Sequence, residues 1–412
     1  MKIVCAGGGP AGLYLAALMK LRNKDHHITV VERKPAGVTY GWGVVFWDDL
    51  LDNLYNNDPE SAREIRDSAT RWEDQEVHVR GKKTAHLGGY GFSMDRKRLL
   101  DILAKRAMDL GADVQFEREV VDLVEFADAD LIVACDGVRS RVRQLYADHF
   151  QPNVEVGRNK YLWLGTHKVF DPFTFAFEKT SAGWIWFHAY RFNTETSTCI
   201  VECSPETWEG LGFDALGPDE SIEFLEKVFE SRLDGHSLLN QRRSFDKMQW
   251  LSFEHISNKK WYHNNVVLMG DAAHTTHFTI GAGTKLALED AIALAEKLHE
   301  HEDLQAAFKD YEEERRTTLL MLQRAARNSA KWFENVQCYI DQESIQFAYS
   351  LAKRREGKTA LEEASWRYPL WRYPLRLAIQ TTAVLRRLRR WVYSAKRELH
   401  SARRELHAVR RR

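Results

Sequence analysis

The chain has 412 residues, of which 44% are hydrophobic and 29% charged, and its formal net charge is zero. This composition is that of an ordinary globular protein with two or three structural units, and the zero net charge argues against a nucleic-acid partner. The sequence contains no run of roughly 18 apolar residues and no signal-peptide pattern at its start, so we expect no transmembrane segment and a cytoplasmic protein.

The first predicted element is a short apolar strand, residues 2–6, that enters the glycine-rich turn GGGPAG. A stretch with helical apolar spacing and a second apolar run at 28–32 follow, so the turn lies in a βαβ unit. In such a unit the glycines permit a tight turn close to a pyrophosphate, and a proline suits the first helical position. The residues predicted to hold the nucleotide are Gly7, Gly9, Pro10, Ala11 and Gly12.

Glu32 stands at the end of the second predicted strand. A carboxylate at this place can accept hydrogen bonds from both ribose hydroxyls and would repel a 2′-phosphate, which predicts FAD or NAD rather than NADP. Arg33 follows directly. It either covers the adenosine or is a solvated arginine, and the sequence leaves both interpretations open.

A helix leading into a strand is predicted for residues 93–114, with Arg96 at its start. Because a helix N-terminus disfavours a cation unless an anion is near, Arg96 is predicted to contact the cofactor, the alternative being an exposed arginine. Residues 128–146 repeat the strand, turn and helix pattern. Asp136 at this turn either forms a plain turn with Gly137 or braces the pyrophosphate turn.

Residues 154–205 are rich in aromatic and β-branched side chains and predict a second, antiparallel sheet inserted into the first domain. Its candidate substrate contacts are His188, Tyr190 and Trp163. A histidine that removes a proton from a phenol, aniline or indole would make the ring more nucleophilic. A hydrogen-bonded core histidine is the alternative for His188.

A second nucleotide-binding turn is predicted where VVLMGDAAH (266–274) is followed by IGAG (280–283) and a helix. Asp271 is expected to accept hydrogen bonds from ribityl hydroxyls or to order water. Gly281, Ala282 and Gly283 would present backbone N–H groups at the helix start. One dinucleotide has two ends, so two turns far apart in the chain fit the opposite ends of one flavin.

His277 immediately precedes this turn and is the second candidate base. Together with His274 it forms an H-x-x-H spacing, but no third ligand stands nearby, so we predict no metal site.

Three ordered landmarks, GGGPAG with Glu32, ACDG (134–137) and GDAAH (270–274), resemble those of the class A flavin aromatic hydroxylases of the para-hydroxybenzoate hydroxylase type. The stretches GWGVVF (41–46), GRNKYLWLGT (157–166), HFTIGAGTKLALEDA (277–291) and NSAKWFENV (328–336) are similar to a narrower branch. That branch contains salicylyl-CoA and anthraniloyl-CoA 5-hydroxylases and the tryptophan-pigment hydroxylase of violacein biosynthesis. The resemblance covers residues 1–340, although Phe278 stands where a proline usually precedes the flavin turn.

The resemblance implies an α/β fold: a Rossmann-like FAD-binding domain, an inserted antiparallel β-sheet substrate domain and a helical C-terminal region. We expect the FAD-binding domain at 1–150 and 261–340, the β-rich substrate domain at 151–260, and a basic helical region at 341–412. Gly43 would lie beside the flavin ring. The implied reaction is hydroxylation of an electron-rich aromatic ring by NADH or NADPH and O2 through a C4a-hydroperoxyflavin. A flavin oxidase or reductase on the same fold is the alternative.

The implied substrate is an aryl thioester on CoA or a carrier protein, or an indole derived from tryptophan. Residues 366–412 bear on this, because they contain 14 Lys and Arg against two Glu. Three interpretations stay open for this basic segment: a solvated helix packed on the enzyme, a docking site for an acidic carrier protein, or contact with an anionic membrane surface.

Overall fold

The computed structural model describes residues 1–240 and 250–356, so the basic segment at 366–412 lies outside the described residues. The strands are β1 (Lys2–Ala6), β2 (His27–Val31), β3 (Gly43–Phe46), β4 (Thr70–Glu73), β5 (Gln75–Val79), β6 (Lys82–His86), β7 (Tyr90–Asp95), β8 (Asp113–Gln115), β9 (Leu131–Ala134), β10 (Pro152–Thr166), β11 (Phe173–Lys179), β12 (Trp184–Arg191), β13 (Ser197–Cys203), β14 (Leu238–Leu239), β15 (Leu251–Asn258), β16 (Tyr262–His263) and β17 (Val266–Leu268). The helices are α1 (Pro10–Arg22), α2 (Asp48–Asn57), α3 (Pro59–Ser68), α4 (Arg96–Asp109), α5 (Arg141–Leu145), α6 (Ala147–Phe150), α7 (Pro205–Gly210), α8 (Pro218–Val228), α9 (Glu230–Leu233), α10 (Gly283–Glu300), α11 (Leu304–Glu334) and α12 (Ser344–Lys353).

A six-stranded sheet in the order β16-β17-β9-β1-β2-β8 forms the first layer. Its central strands are parallel, and Cys5 of β1 pairs with Val30 on one side and Val133 on the other. Helices on both faces bury such strands completely, which explains their continuous apolar runs. The helix α1 begins at Pro10, where the missing N–H costs no hydrogen bond. This sheet and its helices confirm the Rossmann-like prediction.

The second sheet has eight strands, in the order β14-β10-β13-β12-β11-β5-β6 with β15 also paired to β10. Its pairings are antiparallel except for β11 with β5, which are parallel. Strands β5 and β6 precede residue 150, so this sheet takes residues from outside the predicted insertion. The domain boundaries at 150 and 260 stay predictions, because strands from both sides of residue 150 share this sheet.

Helices cover both faces of the second sheet. On one face, α7, α8 and α9 bury Phe213, Leu225 and Phe229 against Phe187 and Val201. These helices fall in the stretch predicted to be β-rich, where the alternating aromatic pattern has already ended. On the other face, side chains of α11 and α12 meet the sheet; they include Phe333, Phe347 and Leu351. The helix α12 is thereby held next to the strands that carry the candidate substrate contacts.

A third sheet of three strands, β3-β7-β4, connects the two larger ones. The backbone N–H of Gly43 in β3 donates to Thr198 Oγ1 in β13 at 2.8 Å, and Tyr190 Oη of β12 donates to the Gly43 carbonyl at 2.8 Å. These bonds fix the small sheet against the second sheet. Across the described ranges, no helix is long and apolar enough to cross a bilayer.

Candidate active site

The first glycine turn is crowded on its inner side and open on its outer side. Gly7 has φ +123°, and a Cβ there would meet the backbone carbonyl of Cys135. A Cβ at Gly12 would lie 2.7 Å from the Cys135 sulfur. At Gly9, by contrast, no atom of the described residues lies within 4 Å of an added Cβ. The turn thus leaves room for a ligand on its outer side, and Pro10 and Ala11 begin the helix that points at that room.

Glu32 ties the end of β2 to this turn. Its Oε2 accepts from the backbone N–H of Gly8 at 2.9 Å, and its Oε1 accepts from that of Lys34 at 2.9 Å. Each carboxylate oxygen keeps acceptor capacity for a hydroxyl. The neighbouring Arg33 is exposed and lies 3.9 Å from Glu119, so the structure brings Glu32, but not Arg33, against the turn.

Asp136 packs against the first turn and caps the next helix. Its Oδ2 accepts from the backbone N–H groups of Arg141 at 2.6 Å and Val142 at 3.2 Å. Its backbone lies where a Cβ at Gly7 would be, so the segment braces the turn by direct contact. Burial raises the pKa of Asp136 overall, and these hydrogen bonds offset only part of that rise. Both interpretations of Asp136 therefore have a physical basis.

The second turn is fixed by a buried charged network that centres on Asp290 of α10. Its Oδ2 accepts from the backbone N–H of Gly270 at 3.0 Å and lies 2.8 Å from His274 Nε2. Its Oδ1 accepts from Arg315 Nε at 2.6 Å. Burial alone would raise the pKa of Asp290, but His274 and Arg315 outweigh it, so the pKa is lowered and the carboxylate stays ionised. His274 is thus a structural residue.

Arg143 links the second turn to the Asp136 segment. This buried arginine donates through Nη1 to the carbonyl of Ala272 at 3.0 Å and through Nη2 to the carbonyl of Val138. Sequence reasoning did not single out this residue, because an arginine within VRSRVR looks like part of a solvated helix.

The start of α10 combines a constrained glycine with an open one. Gly281 has φ +67°, and a Cβ there would lie 2.6 Å from Val45 Cγ2. At Gly283, the first residue of the helix, an added Cβ meets no described atom within 4 Å. No side chain caps this helix, whose N-cap is the buried Ala282. Its free backbone N–H groups therefore face open space, which suits an electron-rich part of a cofactor.

Arg96 and Asp271 lie across the open space between the two turns. Burial lowers the pKa of Arg96, and the negative charge of Asp271 opposes this shift. Burial raises the pKa of Asp271, and the positive charge of Arg96 opposes that shift. Arg96 Nε also donates to Thr39 Oγ1 at 3.2 Å. The anion expected near the start of α4 thus includes a protein carboxylate, that of Asp271.

A cavity of about 720 Å³ extends from the second turn into the second sheet. The predicted site residues that line it are Gly43, Arg96, Trp163, His188, Tyr190, Asp271, Gly281 and Gly283. The wall beyond the turn is aromatic and contains Tyr161, Phe175, Phe253 and Phe278. The cavity therefore joins a polar end at the turn to an apolar end that fits a flat ring.

His188 lies at the apolar end and is 3% exposed. Its Nε2 is 3.6 Å from Glu202 Oε2, which also accepts from Trp186 Nε1 at 3.1 Å. Burial lowers the pKa of His188, and Glu202 raises it only in part, so the imidazole is neutral near pH 7. Burial alone would raise the pKa of Glu202, but His188 and other partners lower it overall. A neutral imidazole beside a carboxylate can accept a proton.

His277 occupies a different place from the other candidate base. It does not line the cavity, and its Nδ1 lies 3.0 Å from Thr279 Oγ1. Burial lowers its pKa to about 3, which makes it a poor proton acceptor. This geometry favours His188 over His277.

Tyr190 and Trp163 contact the cavity from two strands. Trp163 lies against the backbone of Gly41, where an added Cβ would be 2.7 Å from its ring. Tyr190 is fixed by its bond to Gly43, which leaves its ring to form cavity wall. Both positions agree with a substrate role, which remains a prediction.

Three charged residues in or beside the cavity were not predicted from sequence. Glu202 could have been recognised as an isolated charge within the apolar strand STCIVEC. Arg354 and Arg355, which line the cavity from the end of α12, had no such signal, because KRRE resembles a solvated charged run. Within residues 1–240 and 250–356, no cluster of His, Cys, Asp and Glu can hold a metal ion.

Comparison with known proteins identifies the fold and the family. The family model described as FAD binding domain matches residues 1–326. Salicyloyl-CoA 5-hydroxylase from Streptomyces sp is 37% identical over 89% of this chain and 72% of its own length. The chain belongs to the FAD-dependent aromatic monooxygenases.

Two further relatives lie in the same branch. The 3-hydroxy-4-methyl-anthranilyl-[aryl-carrier protein] 5-monooxygenase of Streptosporangium sibiricum is 35% identical over 81% of this chain and 89% of its own length. The protodeoxyviolaceinate monooxygenase of Chromobacterium violaceum is 30% identical over 90% of this chain and 100% of its own length. The structure of 2-methyl-3-hydroxypyridine-5-carboxylic acid oxygenase shares the fold, with a TM-score of 0.65 and 19% identity over 86% of this chain and 98% of that one.

These findings confirm the predicted family, the fold class and the FAD cofactor. The monooxygenase takes electrons from NADH or NADPH and acts on a small aromatic substrate. The open faces of Gly9 and Gly283 and the polar space at Arg96 and Asp271 fit a flavin dinucleotide.

Proposed function

We propose that the monooxygenase hydroxylates an electron-rich ring carried as an aryl thioester of CoA or a carrier protein. The observation that supports this most directly is the cavity, which joins the second glycine turn to an aromatic wall containing His188. Two of the relatives act, by their names, on a salicyloyl thioester of CoA and on an anthranilyl group held by an aryl-carrier protein. An indole derived from tryptophan is the second substrate class, which the violacein relative favours.

The residues that hold FAD are proposed to be those of the two turns. Gly9 leaves room for the pyrophosphate, Gly7 and Gly12 allow the turn to pack on Cys135, and Glu32 accepts from the ribose. The start of α10 faces the isoalloxazine end, where its N–H groups stabilise negative charge. FAD, when bound, would carry electrons from NAD(P)H to O2 and transfer one oxygen atom to the ring, the other leaving as water.

His188 is proposed to receive a proton from the ring substituent. Its environment supports this role, because a carboxylate 3.6 Å away stabilises the protonated imidazole once it forms. Phe175 lies at a ring-centroid distance of 5.1 Å from His188 and Phe278 at 6.0 Å, so apolar surfaces exclude water around it. Proton removal and ring orientation are thereby placed in one compartment.

A substrate panel with the purified, FAD-loaded enzyme tests the proposed function. The panel contains CoA thioesters of salicylate and anthranilate, their simple N-acetylcysteamine thioesters, and indole carboxylates. We expect substrate-stimulated NAD(P)H oxidation with incorporation of label from ¹⁸O2 into a thioester product. Stimulated oxidation with no labelled product from any compound would contradict the proposal, and labelled indole products alone would favour the second class.

His188→Gln and Glu202→Gln test the proton-transfer step. Removing a general base commonly slows turnover by about 10²–10⁴-fold, so we expect a kcat loss in that range for His188→Gln and a smaller one for Glu202→Gln. FAD affinity should be unchanged, because neither residue lies at the glycine turns. A pH profile of hydroxylation that is the same in both variants as in the wild type would exclude His188 as the titrating group.

The basic segment at 366–412 is proposed to bind the acidic carrier of the thioester. Removing residues 376–412 deletes 12 of its 14 basic residues and keeps every residue of the cavity. We expect FAD binding to persist and turnover on carrier-bound substrate to fall, with a salt sensitivity that the truncated enzyme lacks. Equal turnover of both forms at low and high salt would contradict carrier binding and favour a helix packed on the enzyme.

A further inference from the structure

Two neighbouring arginines at the end of α12 line the cavity, and neither has a carboxylate partner within residues 1–240 and 250–356. Arg354 is 8% exposed, whereas Arg355 is exposed at the rim. The helix that carries them lies beyond residue 326, where the match to the family model ends. These cations therefore lie outside the matched FAD binding domain.

Neutral groups alone hold the guanidinium of Arg354 in place. Its Nε donates to Ser329 Oγ at 3.1 Å, its Nη1 to the Leu351 carbonyl at 2.7 Å and its Nη2 to the Thr279 carbonyl at 3.1 Å. Five N–H groups are available on a guanidinium, so two remain for a further acceptor. The guanidinium carbon also lies over two aromatic rings, 5.5 Å from the Phe175 ring centre and 5.7 Å from that of Phe333.

A buried cation without an anion is costly, and a well-placed anion removes that cost. Burial lowers the pKa of Arg354, and the positive charge of Arg355 lowers it further. Arg354 and His188 contact the same two rings, since the His188 ring centre lies 5.1 Å from that of Phe175 and 4.8 Å from that of Phe333. An anion bound at Arg354 would therefore lie beside the candidate base and the aromatic wall.

The geometry points to Arg354 as the residue that binds an oxyanion attached directly to the aromatic ring of the substrate, with Arg355 adding positive charge at the rim. This inference rests on the proposed function and deepens it by naming a charged group on the substrate. The oxyanion is a carboxylate or a phenolate, since both offer the acceptor oxygens that a guanidinium binds. In the phenolate case His188 takes the proton and Arg354 stabilises the oxygen left behind.

Binding to the oxidised, FAD-loaded enzyme tests the inference without turnover. Equilibrium dialysis compares 4-nitrobenzoate, 4-nitrophenol at a pH where it is ionised, and neutral 4-nitrobenzamide. We expect at least one of the two anions to bind the wild type about tenfold or more tightly than the amide, and the preferred anion identifies the source of the charge. Equal affinity for all three would overturn the inference, even if thioester hydroxylation succeeds.

Variants sharpen the same measurement. Arg354→Gln should lose about tenfold to hundredfold affinity for the preferred anion and little for the amide, while Arg354→Lys should recover part of it. Lys353→Gln is the matched control, because Lys353 pairs with Glu356 and does not line the cavity. A loss for Arg354→Gln that is the same for the anion and the amide would show a packing role and refute anion binding. Failure of the thioester panel with intact anion preference would instead refute the proposed function alone.

Discussion

The two glycine turns that we propose to bind FAD are built by different means. The first is shaped by close packing, since Gly7 and Gly12 lie against Cys135 and the Glu32 carboxylate accepts from the Gly8 N–H. The second is held by buried charged side chains: Asp290 accepts from the Gly270 N–H, and Arg354 donates to the Thr279 carbonyl. The first turn thus depends on the absence of side chains at its glycines, and the second depends on buried charges.

The largest expected effect is on the second glycine turn. Asp290→Ala leaves the buried His274 without its carboxylate and Arg315 with Glu289, 3.5 Å away, which should lower the free energy of unfolding by about 3–5 kcal/mol. Denaturant unfolding of the apoprotein measures this. Asp310→Ala is the control, because its pair with His301 is partly exposed and should contribute no more than about 1 kcal/mol. Similar losses in the two variants would show that the Asp290 network does not fix the second turn.

A substitution at the first glycine turn should instead change the affinity for FAD. Glu32→Ala removes the acceptor proposed for the ribose and the two bonds to Gly8 and Lys34. We expect FAD binding to weaken by about 1.5–3 kcal/mol, measured by flavin titration of the apoprotein. Glu119→Ala, which removes an ion-pair partner of the exposed Arg33, should bind FAD normally. If Glu32→Ala binds FAD as tightly as the wild type, Glu32 does not contact the ribose.

Acid should weaken the second turn through His277. Its folded pKa of about 3 lies below the unfolded value near 6.5, so the unfolded chain binds more protons between these values. Stability is therefore complete above pH 6.5 and falls as the pH decreases, by about 2 kcal/mol between pH 6.5 and 5 from this residue. Urea unfolding at several pH values should show a flatter acid limb for His277→Gln. An unchanged slope would assign the acid sensitivity to other histidines.

The smallest effects separate crowded from open glycines. Gly281→Ala forces a side chain into φ +67° and towards Val45, so the apoprotein should lose about 1–2 kcal/mol. Gly9→Ala meets no described atom and should change apoprotein stability by less than about 1 kcal/mol. Both should bind FAD less tightly. If Gly9→Ala keeps full affinity for the flavin, then the open side of the first turn does not contact the pyrophosphate.

The sequence alone determined much of the cofactor site. The glycine spacing, Glu32 and the Asp271 turn depend on local geometry that a short stretch specifies, because a strand, a turn and a helix adjacent in sequence are adjacent in space. Continuous apolar runs predicted the strands of the Rossmann-like sheet, and aromatic, β-branched stretches predicted those of the second sheet. Both patterns are local properties of the chain.

The tertiary structure decided which side chains meet in the cavity. Glu202 reaches His188 because β13 pairs with β12, and Arg354 reaches the same part of the cavity because α11 and α12 pack on the sheet from beyond residue 300. The same packing leaves His277 outside the cavity, although it stands next to the turn in sequence. Contacts of this kind depend on the burial of distant apolar faces, a non-directional force that carries no local sequence signal.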